Sequence, residues 1–192
     1  FNDGSTATKP SPTVYWTNGA GNNNWYNAGN WNPRVVPSTE TPVFIDINAA
    51  TVVNASSPPI RFFSLTLGKA DGSASSQLTI STSIESGGNV ILYPGATLVQ
   101  GTTHTLRVTG NWTMLARSSL THADNTTTLN RTVDVDVSGS FNLQGGATVT
   151  ASGLGFDGGP NSGAGSGPGA GGGSNNDAGG GGGHGGAGGA GA

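Results

Sequence analysis

Apolar and polar residues alternate along much of this chain in short runs. They are clear in "TPVFIDINAATVVN" from Thr41 and in "IRFFSLTLGKADGSASSQLTI" from Ile60. Such alternation places every second side chain on one face of a strand, and no stretch has the spacing of an amphipathic helix. Three segments then align without a gap: "IESGGNVILYPGATL" from Ile84, "LRVTGNWTMLARSSL" from Leu106 and "VDVSGSFNLQGGATV" from Val135. Each reaches a glycine at its fifth position (Gly88, Gly110, Gly139) and a large apolar residue two places later (Val90, Trp112, Phe141). Each closes on a small-residue run and an aliphatic residue (Leu98, Leu120, Val149). The segments start 22 and then 29 residues apart, and the extra seven residues fall near "HADNTTTLNRT", which reads as a loop extension.

A repeat of about 22 residues, built from strands of four to six residues between glycine-containing corners, fits one turn of a parallel β-solenoid. The expected fold is all-β: a short right-handed parallel β-helix, with corner glycines at positive φ and apolar side chains stacked inward. The inward set is expected to be Val90, Leu92, Leu98, Leu106, Val108, Trp112, Leu120, Val135, Val137, Phe141 and Val149. The competing arrangement is an antiparallel sandwich, whose strands recur at similar intervals. Residues 1–13 read as an extended N-terminal arm, 14–155 as the β-solenoid body with an aromatic cap at 14–37, and 156–192 as a glycine-rich tail. Of the 40 residues from Gly153 to Ala192, 21 are glycine. Composition alone reads this tail as a disordered linker. The ordered alternative is polyproline-II-like or closely packed extended backbone against neighbouring chains, because only glycine lets backbones approach so closely.

A solenoid end exposes strand edges and an open apolar core unless something covers it. Directly before the first strand stands "VYWTNGAGNNNWYNAGNW", residues 14–31. With Trp16, Gly19, Gly21, Trp25, Asn30, Trp31, Val36, Pro37, Val43, Ile45, Val52 and "SLTL" at 64–67, the chain resembles the start of secreted bacterial passenger-type repeat proteins. These include autotransporter-like adhesins and exported surface proteins with β-helical bodies. The resemblance spans about residues 14–80, continues more loosely to about 155, and implies that the tryptophans form a cap or first coil. The alternative is a sugar-stacking platform, with Trp25, Tyr26 and Trp31 as the candidates, since such faces suit pyranose rings.

Composition narrows the function classes. Hydrophobic residues make up 33% and charged residues 9% of the chain, and the net charge is −3, with Lys and Arg scattered singly. That leaves no basic stripe for phosphates and excludes nucleic acid as an expected partner. No apolar run reaches the length of a bilayer-spanning helix, so membrane insertion is not expected. The chain opens at Phe1 without a charged-then-apolar leader, and a mature or trimmed form is expected. There is no cysteine, which excludes disulfides and thiolate chemistry and fits a secreted bacterial surface protein.

Candidate chemistry is sparse, and neither an enzyme nor a cofactor or metal site is expected. Asp134 and Asp136 lie two apart on one strand, opposite Val133, Val135 and Val137, and should face solvent. His104, His122 and His184 are isolated and read as surface residues; "GLGFDGG" at 153–159 echoes a calcium-binding repeat only once. Asn54, Asn111, Asn125 and Asn130 open Asn-x-Ser/Thr sequons that could carry glycans in a secreted chain. The expected function is a non-enzymatic extracellular structural protein: a self-assembling subunit of a bacterial surface filament or layer, or an adhesive repeat module. Self-association should run through the N-terminal arm and the glycine-rich tail, with a module tethered in a longer exported chain as the rival to a filament. The alternative from another class is a carbohydrate-binding module using the N-terminal Trp/Tyr cluster, and a polysaccharide lyase or hydrolase comes third.

Overall fold

The computed structural model describes residues 11–48, 58–173 and 179–183, together with the backbone of 50–53. The arm over residues 1–10, Asn54 and His184 lie outside the described residues, as do 174–178 and 185–192.

The chain enters through β1 (Val14–Trp16), one 3-10 turn (Ala28–Asn30) and β2 (Trp31–Asn32). Strands then come in triplets. The first triplet is β3 (Pro42–Ile45), β4 (Ala50–Val53) and β5 (Ile60–Phe62); the second is β6 (Ser64–Leu67), β7 (Gln77–Ile80) and β8 (Ile84–Ser86). The third is β9 (Val90–Leu92), β10 (Thr97–Gln100) and β11 (Leu106–Val108), and the fourth is β12 (Trp112–Met114), β13 (Ser119–His122) and β14 (Val135–Val137). The series ends with β15 (Phe141–Leu143) and β16 (Thr148–Thr150).

Within the triplets each strand pairs in parallel with the strand three later, giving three sheets. The fold is therefore all-β with parallel sheets, which removes the antiparallel sandwich; among the described residues the one antiparallel pair is β1 with β2. The three aligned sequence segments are the register itself. Ile84, Leu106 and Val135 stand opposite one another, as do Val90, Trp112 and Phe141, and Leu98, Leu120 and Val149. The seven extra residues sit between β13 and β14, where the polar stretch leaves the sheets.

All three sheets contribute to one hydrophobic cluster running from Val14 to Leu120. Strands such as β6, β7 and β10 alternate half-buried and buried positions, so period-two patterning becomes burial directly. Seven of the expected inward residues, Val90, Leu92, Leu98, Leu106, Val108, Trp112 and Leu120, are buried. The other four fare differently. Val135 and Val137 are only partly buried, and Phe141 and Val149 are 41% and 44% exposed, although they share register with buried residues. They belong to the last strands of each sheet, where no further strand lies over them.

Two kinds of corner recur, for different reasons. Before β10, β13 and β16 the chain turns through Tyr93–Ala96, Leu115–Ser118 and Gln144–Ala147, each closed by an N–H of the fourth residue donating to the C=O of the first, at 3.0, 3.0 and 2.9 Å. The third residue of each turn has positive φ: 83° at Gly95, 66° at Arg117 and 86° at Gly146. This matches a type II turn, which favours glycine at that place, and Arg117 occupies it at some cost. The fifth-position glycines are not needed for positive φ, contrary to the expectation from sequence. There the N–H of Gly110 donates to Gly88 O and that of Gly139 to Gly110 O, both at 3.2 Å. A Cβ on Gly110 would stand 2.5 Å from the Gly88 carbonyl carbon, and one on Gly139 would stand 2.6 Å from Gly110 O. Neighbouring asparagines reinforce the stack: Asn89 Oδ1 accepts from Asn111 N at 2.8 Å, and Asn111 Oδ1 from Ser140 N at 2.9 Å.

The described part of the glycine tail makes backbone hydrogen bonds within its own chain, instead of the free backbone of a disordered linker. Gly159 N donates to Gly180 O at 2.7 Å, Gly171 N to Gly181 O at 3.0 Å and Gly180 N to Gly163 O at 3.0 Å. A side chain at Gly165, Gly173 or Gly179 would collide with the carbonyl of Gly181, Ser162 or Gly159. The segment is fastened to the body where Asp157 N donates to Thr126 O at 2.8 Å and Phe156 bridges Thr126 in parallel.

Substituting Gly110→Ala should destabilise the chain by about 2 kcal/mol, since the added methyl meets backbone that cannot yield. Gly145→Ala, where a Cβ meets nothing within 4 Å, should stay within about 0.5 kcal/mol. Thermal or denaturant unfolding of the two variants checks the contrast.

Candidate functional site

The aromatic stretch closes the N-terminal end of the core. Trp16, Trp25 and Trp31 are each 1% exposed. Trp31 meets Trp16 and Trp25 edge-on at ring-centroid distances of 4.8 and 4.7 Å, and Trp25 lies 6.1 Å from Phe62 in β5. Rings of this size each bury about 150–250 Å², enough to cover the end of the stacked side chains. Buried Asn30 ties the cap loop together: its Oδ1 accepts from Ala20 N at 2.9 Å, and its Nδ2 donates to Asn22 Oδ1 at 2.7 Å and Asn24 O at 2.9 Å. Trp31 Nε1 donates to Trp25 O at 2.8 Å, while Trp25 Nε1 is buried with no partner.

This corrects the sugar-platform alternative for Trp25 and Trp31, whose faces are used inside the cap. Tyr26 stays at the surface, but its hydroxyl, 3.0 Å from Pro58 O and 2.9 Å from Pro59 O, is committed to that pair of carbonyls. Burial holds its phenol above the ordinary value, partly offset by Arg61. Arg61 is itself paired with Glu85 at 2.7 Å across β5 and β8. An open aromatic face with polar groups beside it lies elsewhere. Tyr15 of β1, 42% exposed, stacks on Phe44 of β3 at 5.2 Å and 29° on the outer side of the sheet. The pair borders a shallow depression of about 280 Å³ that also takes in Asp46, Lys69 and Tyr93.

The remaining sequence candidates separate. Asp134 and Asp136 face outward as expected: Asp134 Oδ2 accepts from Thr105 Oγ1 at 2.8 Å, and Asp136 Oδ2 is 4.0 Å from Arg107 Nε. His104 is exposed. His122 is not a surface residue but 6% exposed, because Leu120 and His122 take the two inward positions of β13; its Nδ1 lies 2.8 Å from Ala123 O. The alternation in "SLTH" carries that signal. His122 faces Gln100 in register, and Gln100 is fully buried. Gln100 Nε2 donates to His104 O at 2.6 Å and its Oε1 accepts from Asp134 N at 2.9 Å.

Among the sequons, Asn111 and Asn130 are exposed. Asn125 is corrected from a glycan acceptor to a structural residue, being 1% exposed. Its Oδ1 accepts from Asn130 N at 2.9 Å and Arg131 N at 2.8 Å, and its Nδ2 donates to Arg131 O at 2.8 Å and Leu154 O at 3.3 Å. The one side chain thus closes the long loop and holds the start of the glycine segment. Sequence reasoning missed this because an Asn-Thr-Thr run looks the same whether the amide faces water or the loop's own backbone.

An apolar surface is left open at the other end of the core. Phe141, Leu143 and Val149 are 41%, 46% and 44% exposed, and they continue the buried rows Val90–Trp112, Leu92–Met114 and Leu98–Leu120. Strands β14, β15 and β16 are the terminal members of their three sheets, so three backbone edges open there together. Among the described residues, tryptophans seal one end of the core and nothing covers the other.

Among the described residues, no group of three or more His, Cys, Asp or Glu side chains is placed to hold a metal ion. Nor is any helix there long and apolar enough to cross a membrane. No protein-family model, no curated protein and no solved structure matches the chain.

Replacing Asn125→Ala should cost about 2 kcal/mol, because buried backbone groups of the loop lose their partner. Hydrogen exchange should rise at residues 130 and 131. In a glycosylating host, mass spectrometry should find glycan at Asn111 or Asn130 but not at Asn125.

Proposed function

We propose that this chain is a non-enzymatic extracellular structural protein, a self-assembling module of a bacterial surface whose three parallel sheets form the walls of a short right-handed β-helix. A parallel connection within one sheet is right-handed in nearly all proteins, and the two intervening strands of each triplet serve as that connection. The observation that carries the assembly reading is the bare end formed by Phe141, Leu143, Val149 and three strand edges. Large apolar side chains beside unpaired edges are what a folded chain covers with another strand. The outward carboxylates, already engaged by Thr105 and Arg107, are not gathered around a cleft, which favours contact over catalysis. Secretion and kinship with passenger-type repeat proteins rest on the cysteine-free composition and on the Trp-Gly-Asn start.

Light scattering of the full chain across the micromolar range tests the assembly reading. The expected outcome is a mass above one chain that rises with concentration and returns to 18.9 kDa in Phe141→Asp. A monomer throughout overturns it.

A second reading, carbohydrate binding, is favoured by the Tyr15–Phe44 shelf rather than by the tryptophans. An exposed stacked pair with a carboxylate and an ammonium at its border offers both a sugar face and hydroxyl partners. Binding of a soluble oligosaccharide at millimolar concentration that disappears in Tyr15→Ala, with the unfolding temperature unchanged, supports it; no binding by the parent chain rejects it.

A further inference from the structure

We infer that the bare end takes a second copy of the same end, tail to tail, and that the resulting assembly closes at two chains instead of growing into a filament. The inference rests on the assembly reading above and specifies its partner. A head-to-tail contact would need the opposite end to offer a matching apolar surface; that end leaves the edges of β4 and β5 open, but its apolar core is covered. The three tryptophans are buried, the loop over them is rich in asparagine, and β2 runs antiparallel along the outermost edge of its sheet. The surface in the described molecule that presents both open parallel edges and a bare apolar row is the tail end itself. Two identical patches meeting across a two-fold axis form an isologous contact, which is closed by symmetry.

Symmetry also fixes how the edges meet. A two-fold axis lying in the plane of contact makes the facing strands antiparallel, pairs one strand with its own copy and crosses the other two. Charge excludes self-pairing through β14, since it would bring the outward Asp134 and Asp136 of both copies together. Strand β15 carries two large inward side chains, Phe141 and Leu143, around outward Asn142. Self-pairing centred on Asn142 sets Phe141 of one copy against Leu143 of the other and leaves no like charges opposed. Strand β14 then faces β16, with carboxylates against Thr148 and Thr150. The contact prolongs the ladders that already join β12 to β15, β11 to β14 and β13 to β16. The hydrogen bonds of the described glycine segment run within the segment and to the Asn125–Thr126 loop, none of them to β14, β15 or β16.

Because the chain has no cysteine, single substitutions report the contact cleanly. The test uses full-length Asn142→Cys and Asn32→Cys, the latter on the outer strand of the capped end. Directly opposed residues of an antiparallel pair come close enough for a disulfide. The expected result is that Asn142→Cys alone oxidises to a covalent dimer and that the parent chain reaches a limiting mass of two chains. Asn32→Cys should stay uncrosslinked, and Phe141→Asp placed in the Asn142→Cys background should abolish the product. Crosslinks between Asn142→Cys and Asn32→Cys, with mass growing beyond two chains, overturn the tail-to-tail inference while leaving self-assembly standing. A parent chain that remains monomeric overturns both, and near-identical circular dichroism of the variants separates lost contact from lost fold.

Discussion

Every strand in the triplets finds its hydrogen-bond partner three strands along the chain, never next door in sequence, and this parallel ladder sets the terms for the rest of the molecule. Backbone groups buried against an apolar core must be paired, so each triplet has to lie in register over the one before. The glycine stack at Gly88, Gly110 and Gly139 is one result, because successive backbones touch there with no room for a Cβ. The asparagine ladder beside it is another: Asn89 and Asn111 offer their amide oxygens to the next backbone N–H, where the chain bends and the ladder would otherwise be broken.

A stack of this kind has ends, and the chain treats them unequally. At the start, large aromatic rings replace the missing triplet as apolar cover, and Asn30 satisfies the irregular loop that positions them. At the finish the inward rows run on to Phe141, Leu143 and Val149 with none of the described residues over them. Polar groups enter the interior near that end. Gln100 and Asn125 are tolerated there because each meets several backbone partners, which avoids the cost of burying an unpaired amide.

The glycine-rich segment follows a different rule. With almost no side chains to pack, it is held by backbone hydrogen bonds between closely apposed stretches, and it reaches the body through Thr126, Phe156 and the Asn125 amide. Its order in the described part depends on the loop that the seven-residue insertion created. The insertion in the repeat and the described part of the low-complexity tail are therefore joined.

Alternation and repeat spacing alone determined the all-β class, the strand register from Ile84 to Val149, the inward set as far as Leu120 and the place of the inserted loop, because a period of two and a recurring unit are local properties written into side-chain order. The Trp-Gly-Asn stretch marked a cap for a similar reason, being aromatic where a stack must end. What it could not decide was which face each aromatic or amide would turn to water. Trp25 and Trp31 were eligible for a ligand until the cap enclosed them, Asn125 was a sequon until its loop folded around it, and His122 was a surface residue until β13 placed it beside Gln100. The fifth-position glycines read in sequence as turn formers, yet their need arises from a neighbour 22 or 29 residues away. Burial and close approach are set by residues distant in sequence, so only the tertiary structure could assign them.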